Sequence, residues 1–270
     1  MDGSPSYKLE WSGEKLGDDT VNMIKTPLQG NGDFRSDECI ELLKEADIIV
    51  TNPPFSLFVD YVDLLIKYDK KFIILGNNNA ITYKGMFNLI KSNKVWLGYS
   101  SNKTFVFRVG EGYKYDEKIT AKMNDGYKYG KVPAISWYTN LDIDIRHDEL
   151  PLTKNYKGNE QNYPKYETFD GIDVSDVKNI PKDYDGIMGV PKTIMSSFCA
   201  DQFEIIGYER EDENIQCGIK NMPESFLNTY RSQGGTGHYT KGMKMLCFYD
   251  AKGNAKIPFS RILIRRKKVS

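Results

Sequence analysis

The clearest pattern of apolar and polar positions runs from residue 36 to residue 92. Ser36 is a typical helix N-cap, acidic residues follow it, and an apolar helical face is formed by Ile40, Leu42, Leu43 and Ala46. Residues 47–51 are a β-branched run without alternation, which is typical of a strand buried on both faces of a parallel sheet. Residues 72–76 predict a second buried strand, and 57–68 and 83–92 predict helices. This order is typical of a doubly wound α/β sheet.

The remaining segments predict a less regular, β-rich architecture. Two short strands are expected at residues 7–11 and 21–24, within a start rich in Gly, Asp, Ser and Asn. After Lys94 we expect strands at 95–97, 104–109 and 134–138, with a hairpin around the loop 110–131. Residues 150–165 predict a linker, and short strands are expected near 203–207, 244–249 and 261–264. We therefore place a domain boundary near residue 148, which gives a core at 1–148 and a C-terminal β-rich α+β region at 149–270.

The composition favours a folded protein that stays in solution. Apolar residues make up 40% and aromatic residues 13%, and no stretch approaches the roughly 20 consecutive apolar residues that a bilayer crossing needs. No signal peptide pattern opens the sequence and the four cysteines show no CxxC pairing, so we expect a reducing, cytoplasmic setting without membrane contact. With two histidines, there is little material for a zinc site or a Ser-His-Asp triad, and no metal site is expected.

Charge is balanced overall but not along the chain. Lys and Arg number 37, as do Asp and Glu, yet residues 1–60 hold twelve acidic and five basic side chains. The positive excess therefore lies after residue 60. Any nucleic-acid contact is expected in that later part.

Asn52, Pro53, Pro54 and Phe55 directly follow the first predicted buried strand. Two prolines cannot continue a ladder, so the strand ends there and opens into a rigid loop. In open α/β sheets, ligands bind beyond the carboxyl ends of the strands. The loop is therefore placed where a ligand is expected, although Asn and Pro are also common in ordinary turns.

These four residues fit methylation of an exocyclic amine such as that of adenine. The nitrogen is a weak nucleophile because its lone pair is delocalised into the ring. The Asn52 side-chain oxygen and the Pro53 carbonyl can accept its two hydrogens and favour a pyramidal nitrogen. Phe55 offers a face on which an extruded base can stack, worth about 1 to 3 kcal/mol. Extrusion is expected because the nitrogen cannot be reached in line within a duplex.

Asp33 and Phe34 lie nineteen residues upstream of Asn52. A carboxylate that accepts from the adenine amine of a cofactor, beside a ring that packs on its base, would form the adenine end of a cofactor site. A helix-leading Asp beside a core Phe explains the same pair without a ligand. A strand that leads into a glycine-rich turn is not found before this region, and residues 30–32 are interpreted as a loop.

Several blocks of the sequence resemble the EcoRI-type family of adenine-specific DNA methyltransferases. The blocks are residues 32–38, 48–56, 74–81, 96–100, 137–141, 184–191 and 202–207. The resemblance implies a Rossmann-like core, S-adenosylmethionine as donor, adenine in double-stranded DNA as acceptor and a restriction-modification role. It implies catalytic roles for Asn52, Pro53, Pro54 and Phe55, and cofactor contacts from Asp33, Phe34 and Asn52. It makes residues 149–270 the DNA-recognition region.

Members of that family carry further N-terminal residues that include a cofactor-binding turn. We therefore expect an N-terminally truncated core that binds the cofactor weakly by itself. A fragment, a misplaced start and one half of a split gene, whose other half would be a separate N-terminal segment, stay open as explanations. Two other functions stay open on the sequence. One is amine methylation of RNA or of protein glutamine, and the other is a non-catalytic DNA-binding remnant.

Overall fold

The structure, a computed structural model, describes residues 6–11, 23–101, 103–110, 120–122, 127–209 and 217–267. The helices of these ranges are α1 (Asp37–Glu45), α2 (Phe58–Lys67), α3 (Lys84–Lys91) and α4 (Glu224–Ser232). The strands are β1 (Tyr7–Trp11), β2 (Met23–Pro27), β3 (Ile48–Thr51), β4 (Lys71–Asn77), β5 (Trp96–Leu97), β6 (Phe105–Arg108), β7 (Thr120–Lys122), β8 (Lys128–Val132), β9 (Ile135–Thr139), β10 (Ile172–Asp173), β11 (Met188–Pro191), β12 (Phe203–Tyr208), β13 (Phe248–Tyr249), β14 (Ala255–Lys256) and β15 (Arg261–Arg266).

The predicted alternation of helices and strands is confirmed. The Ser36 side chain accepts a hydrogen bond from the backbone N–H of Cys39, so α1 begins at the expected cap. The order α1, β3, α2, β4, α3 follows, and β3 and β4 pair in parallel with Thr51 opposite Ile74. The chain is therefore a mixed α/β protein that contains a βαβ unit, β3-α2-β4.

The central sheet has the strand order β3-β4-β9-β5, and β9 is antiparallel to both of its neighbours. Helices α1, α2 and α3 contribute to one hydrophobic core with Phe72 and Ile74 of β4. The opposite face has an apolar hollow of about 230 Å³. Its lining residues are Ile73, Gly98, Tyr99, Trp137, Thr139, Leu141 and Ile143.

The expectation that β3 is buried on both faces is wrong. Ile48 is 51% exposed and Val50 is 67% exposed, whereas Ile49 packs against the core. Within the described residues β3 pairs with β4 alone and is an edge strand. Its β-branched sequence is therefore that of an inner strand, although one face and one edge are open.

The expected hairpin pairs differently from the sequence interpretation. Strand β6 pairs antiparallel with β8, which lies in the stretch interpreted as a loop, and β8 also pairs with β7. Strand β9 instead joins the central sheet. Residues 111–119 and 123–126 of the expected loop lie outside the described residues.

The other β segments are confirmed in outline. Strand β1 has the expected bounds, while β2 begins at Met23, and residues 21 and 22 lie outside the described residues. Strands β12 and β15 lie where expected, and the segment 244–249 is a strand over Phe248–Tyr249. A second sheet has the order β10-β11-β15-β12.

The predicted linker packs closely against the rest of the molecule. Tyr163 is buried, and Leu150, Leu152 and Tyr156 pack against the same core cluster that contains α2 and β4 residues. That cluster also contains Ile262 and Ile264 of β15. The boundary near residue 148 stays a prediction.

Candidate active site

The Asn52–Phe55 segment leaves the carboxyl end of β3 and enters α2 through a short 3-10 turn, Phe55–Leu57. Pro53 is buried, whereas Asn52, Pro54 and Phe55 are exposed. The Pro54 carbonyl accepts a hydrogen bond from the Leu57 N–H at 2.9 Å. The buried Pro53 therefore fixes the loop on the protein, while Asn52 and Phe55 face solvent.

Close packing behind the loop fixes the start of α2. The Phe58 and Tyr138 rings meet edge to face with centroids 5.1 Å apart. A Cβ at Gly76 of β4 would lie 2.5 Å from the Phe58 ring and 2.9 Å from the Tyr138 ring. Glycine at this position therefore lets the first residue of α2 press directly on β4, only three residues after Phe55.

Two acceptors of the loop, the Asn52 side-chain oxygen and the Pro53 carbonyl, have no hydrogen-bond partner in the part of the chain that the structure describes. The Phe55 side chain is 45% exposed. Two acceptors and an aromatic face are thus available beside one another at the end of β3.

Asp33 and Phe34 lie at the same edge of the sheet as Asn52. Helix α1 has nine residues, about 13.5 Å at 1.5 Å each, and β3 has four, about 13 Å. Since two residues connect them, the start of α1 returns to the level where β3 ends. The Phe34 ring also packs edge to face on Tyr61, in the first half of α2, at 5.0 Å.

The Asp33 carboxylate is held by Arg35. Its Oδ1 accepts from the Arg35 N–H at 2.9 Å and from Nε at 3.0 Å, and its Oδ2 accepts from Nη2 at 2.8 Å. The Arg35 side-chain hydrogen bonds, followed by the backbone one, lower the pKa of Asp33 to about 2. Because a carboxylate oxygen has two lone pairs, Oδ2 can still accept from a ligand.

Sequence reasoning assigned no role to the three asparagines at the end of β4, although a run of amides after a buried strand is a visible signal. Asn78 accepts a hydrogen bond from the Ser136 hydroxyl at 2.6 Å, and Asn79 accepts one from Lys192 Nζ at 2.8 Å. Asn77 accepts from the Asn79 N–H. Lys192 therefore brings the later part of the chain to the edge that carries Asn52.

Within the described ranges, no group of three or more His, Cys, Asp or Glu side chains is arranged to hold a metal ion. No helix in those ranges is long and apolar enough to cross a membrane.

Comparison with known proteins gives the family. Residues 3–267 match the family described as adenine-specific methyltransferase EcoRI. The chain belongs to this family. It is 48% identical over 200 residues to the Type II methyltransferase M.EcoRI of Escherichia coli and 44% identical over 203 residues to the Type II methyltransferase M.MpnI of Mycoplasma pneumoniae.

Each match covers 74% of this chain and 61% of the relative. A third relative, the Type II methyltransferase M.MgeORF184P of Mycoplasma genitalium, is 45% identical over 195 residues, with 62% of its length covered. The chain thus matches about three fifths of these relatives' length. No solved structure matches.

Proposed function

We propose that this protein takes part in methylating the N6 amine of adenine in double-stranded DNA, with S-adenosylmethionine as the methyl donor, in a restriction-modification role. The observation that carries the proposal is the exposed Asn52–Phe55 loop at the carboxyl end of β3, in a chain of the EcoRI adenine-specific methyltransferase family. Curated relatives are named Type II methyltransferases.

The loop supports this chemistry through its free acceptors. Asn52 Oδ1 and the Pro53 carbonyl oxygen accept the two hydrogens of the amine, which draws the nitrogen lone pair out of conjugation. The buried Pro53 and the packing of Phe58 on Gly76 keep both acceptors in place. Phe55 stacks on the extruded base. The target adenine is therefore oriented by stacking on its ring face as well as by the hydrogen bonds to its amine.

The donor's adenine fits the Asp33–Phe34 pair. S-adenosylmethionine supplies an electrophilic methyl group when it is bound. The Asp33 carboxylate stays ionised at neutral pH because of Arg35 and keeps a lone pair for an amine donor. The half-buried Phe34 ring rests on Tyr61, which holds it beside the same edge as Asn52.

The open edge of β3 supports a Rossmann-like sheet that is larger than the four described strands. Ile48 and Val50 are exposed β-branched residues on a strand with a free edge. In doubly wound sheets the ligand crevice lies where the strand order reverses, outside the carboxyl ends. We place that crevice between β3 and a further parallel strand, supplied by polypeptide equivalent to the part of the relatives that the match leaves out.

The test combines the chain with donor carrying a labelled methyl group and, in separate reactions, duplex DNA, RNA and a protein lysate. Each reaction is run with and without the part of M.EcoRI that lies outside the match, added in trans. N6-methyladenine in digested DNA, absent when Asn52→Ala replaces the wild type, is the expected product. Label in RNA or in protein glutamine, with none in DNA, overturns the proposal.

A further inference from the structure

Phe259 is the most exposed large apolar side chain of the described residues, with 92% of its surface accessible. The next in rank, Val50, is 67% exposed. Single exposed apolar residues are ordinary on protein surfaces, so exposure alone assigns no role. Three further features set Phe259 apart, namely the anchoring of its backbone, its position in the fold and the charge of the surrounding segment.

The backbone of Phe259 is tied to a buried ionic network. Its carbonyl accepts from Arg261 Nη1 at 3.2 Å, and Arg261 Nε donates to Asp173 Oδ1 at 2.8 Å. The Arg261 N–H donates to Glu209 Oε2 at 3.0 Å, and all three charged residues of this network are buried. The loop 257–260 is also closed at its other end by β14. The ring therefore projects from a fixed base, which limits the entropy lost on binding.

The loop lies at the end of the second sheet that faces the candidate active site. Arg261 of β15 is paired with Pro191 of β11, and the next residue, Lys192, bonds to Asn79 just beyond the carboxyl end of β4. Phe259 is two residues before Arg261 and can be at most about 7 Å further along the chain. It is thus at the end of the second sheet from which Lys192 reaches the carboxyl edge of the central sheet.

A second contact supports this placement. Tyr208 of β12, the strand partner of Ile262, packs against Phe87 of α3 with ring centroids 5.5 Å apart. Helix α3 begins at the carboxyl edge of the central sheet because it follows β4 after one short turn. The Arg261 end of β15 and the active-site edge are therefore on the same side of the molecule.

The segment around Phe259 is strongly basic. Residues 217–267 contain ten Lys and Arg and two Asp and Glu. Arg261, Arg265 and Lys241 have acidic partners, which leaves seven basic residues of the segment against one acid without an ion pair, Asp250. The surface that complements an exposed aromatic ring and many positive charges has stacked planar groups next to phosphates. Duplex DNA has both.

We infer that Phe259 is a wedge that enters the DNA base stack beside the extruded adenine, while the basic residues of 217–267 hold the backbone. Apolar side chains inserted at base steps unstack and kink a duplex, which favours departure of the neighbouring base. This role differs from that of Phe55, which receives the base outside the helix. The inference rests on the proposed function.

The test maps unstacked thymines in a sequenced plasmid by permanganate oxidation, with protein at a concentration that saturates the DNA. An extruded adenine leaves its thymine partner unstacked, so the wild-type chain should create reactive thymines at its sites. Phe259→Ala should lower this reactivity about tenfold, in line with the loss of one stacking contact, while a mobility shift shows that the DNA is still occupied. Phe259→Trp should retain it. Leu9→Ala, a truncation of another exposed apolar side chain on β1, is the matched control and should equal the wild type.

The outcomes separate the inference from the function on which it rests. Wild-type reactivity in Phe259→Ala overturns the wedge alone and leaves methylation untouched. A wild-type chain that neither binds the plasmid nor methylates it, even with donor and the unmatched part of M.EcoRI added, overturns the proposed function and the wedge together. Vesicles of anionic phospholipid are run alongside, and a Phe259→Ala defect confined to vesicle binding overturns the wedge in favour of a membrane contact.

Discussion

At the scale of single residues, substitution of Asn52 gives the clearest prediction, because its side chain has no hydrogen-bond partner among the described residues. Asn52→Ala should lower methyl transfer by about 100-fold or more, the usual loss when one fixed hydrogen-bonding group of an active site is removed. Stability should change by less than about 0.5 kcal/mol, as for other exposed sites. N6-methyladenine per unit time and the melting temperature measure the two effects.

The matched control for that prediction is Asn88→Ala, since Asn88 is also exposed but lies on α3. It should leave methylation unchanged. An Asn52→Ala protein with near-wild-type turnover would remove the proposed role of the amide, because the Pro53 carbonyl alone would then suffice.

Phe55 is predicted to act through its aromatic face. Phe55→Ala should weaken productive binding of the target base by about tenfold, within the range for loss of one base-aromatic stack, whereas Phe55→Trp should stay close to wild type. The comparison is made on the KM for DNA under saturating donor. If both variants lose activity equally, stacking is not what Phe55 contributes.

Asp33 gives a prediction about pH. Arg35 lowers the pKa of Asp33 to about 2. The ionised carboxylate that is proposed to accept from the cofactor's adenine is therefore fully present above the ordinary carboxyl pKa and is lost as the pH falls through about 2. Cofactor affinity should therefore show no step attributable to Asp33 between pH 5 and 8. Calorimetric titrations of wild type and Asp33→Asn across this range test the expectation. A step near pH 5 that disappears in Asp33→Asn would contradict it.

At the scale of elements, Gly76 decides how α2 meets the sheet. An added Cβ would be 2.5 Å from the Phe58 ring, so Gly76→Ala should push α2 outward and cost about 1 to 3 kcal/mol of stability, as overpacked cores do. Methylation should fall as well because the loop is continuous with α2. Gly110→Ala, where a Cβ meets nothing within 4 Å, is the control for thermal unfolding. An unchanged melting temperature in Gly76→Ala would show that the helix yields freely.

Local signals explain why some elements were predicted from the sequence and others were not. The Ser36 cap and the apolar face of α1 lie within one short segment of sequence. The prolines that end β3 act through their own backbone, so their effect is local as well. The pairing of β9 with β4, across more than fifty residues, has no local signature. The exposure of β3 was not predicted because a β-branched run indicates that a strand is suited to burial. It does not indicate whether a neighbouring strand or helix is present to cover it.

At the scale of the whole molecule, the candidate site combines groups that are far apart in sequence. Asn52, Pro53 and Phe55 were predicted from one motif, and their placement at a strand end is what the structure shows. Lys192 beside Asn79 and the buried pair of Asp173 and Arg261, 88 residues apart, could not be predicted. Isolated charges in a sequence carry no sign of their partners, so this part of the molecule became visible only through the fold.

The distribution of charge over the whole chain gives the last prediction, which concerns binding to DNA. Affinity should fall steeply with salt, since each phosphate neutralised by a lysine releases condensed counterions and adds about 0.9 to the slope of log K against log salt. The expected contacts are in residues 217–267, where basic side chains outnumber acidic ones by ten to two. Lys252→Ala combined with Lys256→Ala should therefore reduce the slope by about 2 if both side chains contact phosphate, whereas Lys165→Ala, an exposed lysine outside that segment, should leave it unchanged. Fluorescence anisotropy with a labelled duplex over a salt series gives the slopes. An equal reduction by the Lys165 variant would mean that the positive charge acts diffusely and that residues 217–267 do not form the DNA-binding surface.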